Sequence, residues 1–73
     1  MKTRMTDDLV RIASAGGGFR LEAGTRMTDD LVRIASAASR GGGTIYLRGM
    51  NTRMTDDLVR IASAGKGHIV FEE

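Results

Sequence analysis

Thr3-Arg-Met-Thr-Asp-Asp-Leu-Val-Arg-Ile-Ala-Ser-Ala15 recurs without a single change at 25–37 and again at 52–64. Each copy carries the marks of a short amphipathic helix. Thr6 suits an N-cap, because its hydroxyl can accept a bond from a backbone N–H that the first turn leaves orphaned. Asp7 and Asp8 follow where negative charge opposes the positive end of the helix dipole. Met5 and Val10 stand at hydrophobic-staple spacing, and Met5, Leu9, Ile12 and Ala13 recur at the helical period as one apolar face. Asp7 and Arg11, four residues apart, are placed to pair along the helix. Gly16 and Gly65 are expected to stop the first and third helices at the position after the cap, while the second runs on through Ala38-Ser39-Arg40 to Gly41. A helix of about nine residues measures only ~13 Å. Alone it is marginal, so each copy needs a surface to pack on.

The segments between the copies supply that surface. Gly-Gly-Gly at 16–18 leads into Phe19-Arg-Leu-Glu-Ala23, a second Gly-Gly-Gly at 41–43 into Thr44-Ile-Tyr-Leu-Arg48, and Gly65-Lys-Gly67 into His68-Ile-Val-Phe-Glu72. Alternation with period two puts Phe19, Leu21, Ile45, Leu47, Ile69 and Phe71 on one face. Arg20, Glu22, Tyr46, Arg48, Val70 and Glu72 fall on the other. The chain therefore reads as one domain, 1–73, built of three helix–strand units at 3–24, 25–51 and 52–73. Consecutive β–α–β connections favour parallel strands with right-handed crossovers. The expected fold is α/β: a two-layer αβαβαβ arrangement, with a three-stranded parallel sheet in order 1-2-3 and three short helices on its greasy face. Helices on one side only are unusual for a parallel sheet, but the polar alternation of the strands requires it. The copies start 22 and 27 residues apart. The surplus Ala38-Ser39-Arg40 leaves open either a distorted repeat or a different topology.

Composition narrows the classes of function. At 73 residues, with 41% hydrophobic and 27% charged residues, the chain is a small globular domain. The only aromatics are Phe19, Tyr46 and Phe71, so the core must be built from Leu, Ile, Val, Met and Ala. There is no cysteine, which removes disulfides and thiolate chemistry and gives no sign of an oxidising compartment. No apolar run is long enough for a transmembrane helix, and no signal-peptide pattern is present. The net charge is +2, and the Asp-Asp pairs interrupt the arginines, so no basic stripe marks a nucleic-acid surface.

Ile45-Tyr-Leu47-Arg-Gly-Met-Asn51 followed by Met54-Thr-Asp-Asp-Leu-Val-Arg-Ile61-Ala62 resembles a leucine-rich repeat of the ribonuclease-inhibitor-like type. Ile45 and Leu47 match the strand leucines, Asn51 lies near the asparagine position, Met54-Thr55-Asp56 looks like the helix start, and Ile61-Ala62 like the helix core. Asn51 is displaced by one residue, the helix is about one residue short, and the first joint has Gly24-Thr25 with no asparagine. The middle unit carries the likeness. The resemblance implies an α/β solenoid with a binding surface on its open strand face and no catalysis.

Residue by residue, the chemical candidates reduce to structural roles. A phosphate cradle needs strand, glycine loop and helix start in that order, whereas these triple glycines follow helices, so they read as flexible connections. Asp7 and Asp8 diverge by about 100° on a helix and sit where caps place Asp. His68 has Glu72 on its own strand face but ~13 Å away, and it reads as a solvated side chain. Ser14, Ser36 and Ser63 lie late in their helices with no assignable base. No residue is a candidate for catalysis, for a cofactor or for a metal. What remains as a candidate binding face is Arg20, Glu22, Tyr46, Arg48 and Val70, a small basic and aromatic patch for a peptide or a single strand, with cross-strand ion pairing as the plainer use. No partner is required. Two unpaired outer strands and the absence of polar end units favour self-association through a strand edge or a repeat end. Identical helices beside unrelated strands point to one segment placed three times in an artificial, idealised repeat scaffold without evolved activity.

Overall fold

The computed structural model describes residues 5–51 and 53–72. The copied segments form α1 (Thr6–Ser14), α2 (Thr28–Gly41) and α3 (Thr55–Gly65), and the joints form β1 (Phe19–Glu22), β2 (Ile45–Arg48) and β3 (Ile69–Glu72). The strands make one parallel sheet in the order β1-β2-β3. Phe19, Ile45 and Ile69 stand abreast, as do Leu21, Leu47 and Phe71. That register sets Phe19, Leu21, Ile45, Leu47, Ile69 and Phe71 on the face the helices cover, and a slip by one residue would turn them outward.

The core joins Leu9, Leu31, Ile34 and Ile61 of the helices to Leu21, Ile45 and Leu47 of the strands, all without exposed surface. Burying each such side chain contributes about 1.5–3 kcal/mol. No buried polar or charged residue interrupts this core among the described residues. The surplus Ala38-Ser39-Arg40 causes no change of topology. It lengthens α2 to 14 residues, and Ala37 and Ala38 bury against the neighbouring units. Met50 in the joint after β2 also enters the core.

Several local expectations are corrected. The helices begin one residue earlier than expected: Met5, Met27 and Met54 hold the N-cap positions in place of the threonines, and no side chain caps any of them. With Met at the cap its side chain lies ahead of the helix, about 70% exposed in each copy, so no staple closes and Met leaves the apolar face. Gly16 does stop α1, with φ +97, and α2 does reach Gly41. In contrast Gly65 stays inside α3, and the left-handed residue after it is Lys66, φ 49. Gly65 is held in the last turn by Ile69: a Cβ there would sit 2.3 Å from the Ile69 Cγ1. The triple glycines are also not flexible connectors. A Cβ on Gly41 would lie 1.9 Å from the Ala13 carbonyl oxygen, so the first two joints pack backbone against backbone.

Candidate functional site

The open strand face holds Arg20, Glu22, Tyr46, Arg48 and Val70 together, as the alternation required. Arg20, Tyr46 and Val70 stand abreast, and so do Glu22, Arg48 and Glu72. The Arg20 guanidinium lies over the Tyr46 ring, 4.8 Å from its centroid. Its Nε goes on to donate to Glu72 Oε1 at 3.3 Å, spanning the full width of the sheet. Arg48 faces Glu22 at 3.7 Å. The charges of this face therefore meet one another. His68, just before β3, is half-buried rather than solvated. Its Nδ1 lies 2.9 Å from the Gly43 carbonyl, and since a carbonyl only accepts, Nδ1 carries the hydrogen. The same residue's carbonyl accepts the Ile45 N–H at 2.8 Å, so His68 fastens the third unit to the second.

A second constellation runs along the helix side, and the sequence reading did not reach it. The arginine between Thr and Met of the second and third copies reaches back one unit. Arg26 Nη1 donates to Thr6 Oγ1 at 3.1 Å, and Arg53 Nη1 to Thr28 Oγ1 at 2.8 Å. Thr6 is thus an acceptor for the next unit instead of a cap. Arg53 Nη2 also donates to the Ala23 carbonyl at 2.9 Å and to the Arg26 carbonyl, while its Nε is buried without a partner. The mid-helix arginines repeat the step. Arg33 Nη2 donates to Asp7 Oδ1 at 2.8 Å, and Arg60 Nη2 to Asp29 Oδ1 at 3.1 Å. The expected Asp7–Arg11 pair within one helix is replaced by Asp7–Arg33 between helices. The hydrogen bond and the charge of Asp7 raise the Arg33 pKa above its ordinary value, with a smaller contribution from Asp30 at 3.9 Å.

The signal for this ladder was present in the sequence, since Arg4, Arg26 and Arg53 precede each helix identically. Spacing within one copy could not reveal it, because the acceptor stands in another copy. Among the described residues no three His, Cys, Asp or Glu side chains converge, and no helix is long and apolar enough to cross a membrane. Asn51, matched above to the repeat family's asparagine, lies exposed in the turn before α3. Comparison with protein families, with curated proteins and with solved structures finds no match to the chain.

Proposed function

We propose that the chain is a repeat scaffold, artificial or idealised in origin, whose side chains serve to hold its own units together and which has no evolved catalytic role. The observation that carries this reading is the unit-to-unit ladder, in which the polar residues of the copied segment bond to the same segment one unit back. The strand face supports it from the other side. Arg20 is engaged with Tyr46 and Glu72, and Arg48 faces Glu22, so the face offers a partner few unmatched charges.

The test is a double substitution of Tyr46→Ala and Arg48→Ala, followed by far-UV circular dichroism, urea denaturation and panning of a random peptide library. A scaffold keeps its fold, loses no more than about 1 kcal/mol, and enriches no peptide that depends on the two side chains. If wild type enriches peptides that the folded variant does not bind, the scaffold reading fails. The chain is then a leucine-rich-repeat-like binding module that uses this face.

A further inference from the structure

The two ends of the molecule are complementary halves of the seam that the interior already uses twice. In α2 the side turned toward α1 carries Arg33, Ile34 and Ala37. Ile34 and Ala37 are fully buried, and Arg33 reaches Asp7. The third unit repeats this: Ile61 is buried and Arg60 reaches Asp29. On α1 the same positions are Arg11, Ile12 and Ala15, and there they line a shallow open depression with Asp8. Arg11 and Ala15 are exposed and Ile12 is half-buried.

At the opposite end the deficit is the mirror of this one. Leu9, Ala13, Leu31 and Ala35, on the sides of α1 and α2 turned toward the following unit, have no exposed surface. Their α3 counterparts are half-buried Leu58 and exposed Ala62. Val10 and Val32 pack against the core, but Val59 is 56% exposed. Apart from the cap methionines, the large exposed hydrophobics among the described residues are Val59, Val70 and Phe71, all in the third unit. Charge follows the same logic. Asp7 and Asp29 each receive an arginine from the next unit, whereas Asp56 receives none among the described residues.

We propose that copies of this chain stack head to tail, the α3 face of one (Asp56, Leu58, Val59, Ala62) against the α1 face of the next (Arg11, Ile12, Ala15). The occupant of each end is thus a second copy of the chain, because the residues that cover this seam twice inside the molecule are the ones its other end presents. The sheet permits the same continuation. β1, β2 and β3 run parallel in a single register, so β1 of a second chain adds beside β3 without reversal. Such a contact joins two different patches, so it propagates as a linear or helical assembly instead of closing as a two-fold dimer. This inference concerns the ends of the molecule and stands apart from the reading of the strand face.

Two single-end variants test it by sedimentation velocity from about 10 μM to about 1 mM, the range of weak association. Ala15→Arg puts a long cation where Ala37 and Ala64 pack between units, and Val59→Arg does so at the other end. Both residues are exposed in the single chain, and circular dichroism checks that each variant is folded. The expected result is a wild type whose mean mass rises with concentration, two variants that sediment as monomers, and an equimolar mixture that stops at a 1:1 dimer, twice 7.8 kDa. Each variant then retains one good end, and the two blocked ends repel. A monomeric wild type over the whole range overturns the proposal. So does a variant that still self-associates alone, which would place the contact on the strand face or in a symmetric edge pairing.

Discussion

In α2 the copied segment buries Leu31, Ile34, Ala35 and Ala37 completely, yet the same residues in α1 leave Ile12 half-buried and Ala15 exposed, and in α3 leave Leu58 half-buried and Ala62 exposed. Side chain, helix and local spacing are held constant while the neighbours change. The difference shows that the energetic weight of a position in this molecule is set by the unit beside it. Helix propensity is the same in all three copies and cannot tell them apart. The comparison breaks most readily at leucine. Leu31→Ala should cost about 3–4 kcal/mol, as for a fully enclosed leucine, against total stability of about 4–11 kcal/mol for a chain of this size. Leu58→Ala should cost about half as much. Urea denaturation of the two variants decides it. Equal losses would mean that α3 is as enclosed as α2, which is the outcome expected only if its outer side is covered.

A finer comparison lies between the two arginine types of the ladder. Arg53 donates to Thr28 and to two backbone carbonyls from a half-buried position, while Arg60 meets Asp29 in solvent. Removing Arg53 takes a charged donor from the Thr28 hydroxyl and from the Ala23 and Arg26 carbonyls, at a cost of about 1–3 kcal/mol. Removing Arg60 should cost less than about 1 kcal/mol, in keeping with exposed ion pairs. Arg53→Lys should recover little, because one ammonium cannot span three acceptors in a planar fork. Full recovery by lysine, read from the thermal midpoint, would reduce Arg53 to a point charge.

The contrast between what lies inside a unit and what lies between units also explains how far the sequence could be read. Strand positions and the buried faces followed from period two in Phe19-Arg-Leu-Glu and its counterparts, because alternation is a property of one strand, and the parallel order followed from the consecutive β–α–β connections. The length of α2 followed from its alanines and Gly41. What escaped was relational. Asp7 and Arg11 have ideal spacing on one helix, but Asp7 pairs with Arg33, which stands on the next. Thr6 has the chemistry of a cap, but Arg26 takes its hydroxyl. Gly41 looked flexible because a sequence does not record that the Ala13 carbonyl occupies the place of its missing Cβ. Arg20, Glu22, Tyr46, Arg48 and Val70 fall on one strand face because they share one phase. Their mutual pairing depends on side-chain reach across three strands.

Helix ends offer a third comparison. α2 finishes on Gly42 and α3 on Lys66, and both adopt the left-handed conformation. Glycine does so without penalty, whereas a residue with a Cβ loses roughly 1–2 kcal/mol there. Part of that gain is offset by the freer unfolded chain that glycine brings. Lys66→Gly should therefore stabilise by about 0.5–1 kcal/mol, a rise of about 2–8 °C in Tm for a domain of this length. A fall in Tm would mean that the Lys66 side chain contributes more than its backbone costs.

The smallest effect belongs to the strand face, and it sharpens the comparison between the two layers. Arg20 has two partners of different kinds: the ring of Tyr46 beneath it and the carboxylate of Glu72 beyond. Its side chain is 65% exposed, so the ion pair with Glu72 is worth well under 1 kcal/mol and is screened by salt. At about 1 M salt the screening length shrinks to ~3 Å, comparable with the pair itself. Contact with the ring at ~0.5 kcal/mol depends more on packing and less on ionic strength. Double-mutant cycles separate the two. The Arg20–Glu72 coupling should fall toward zero between low and high salt, while the Arg20–Tyr46 coupling persists. If both couplings exceeded about 1.5 kcal/mol at high salt, the strand face would hold the units together as strongly as the helix seams, and the division of labour between the two layers would be lost.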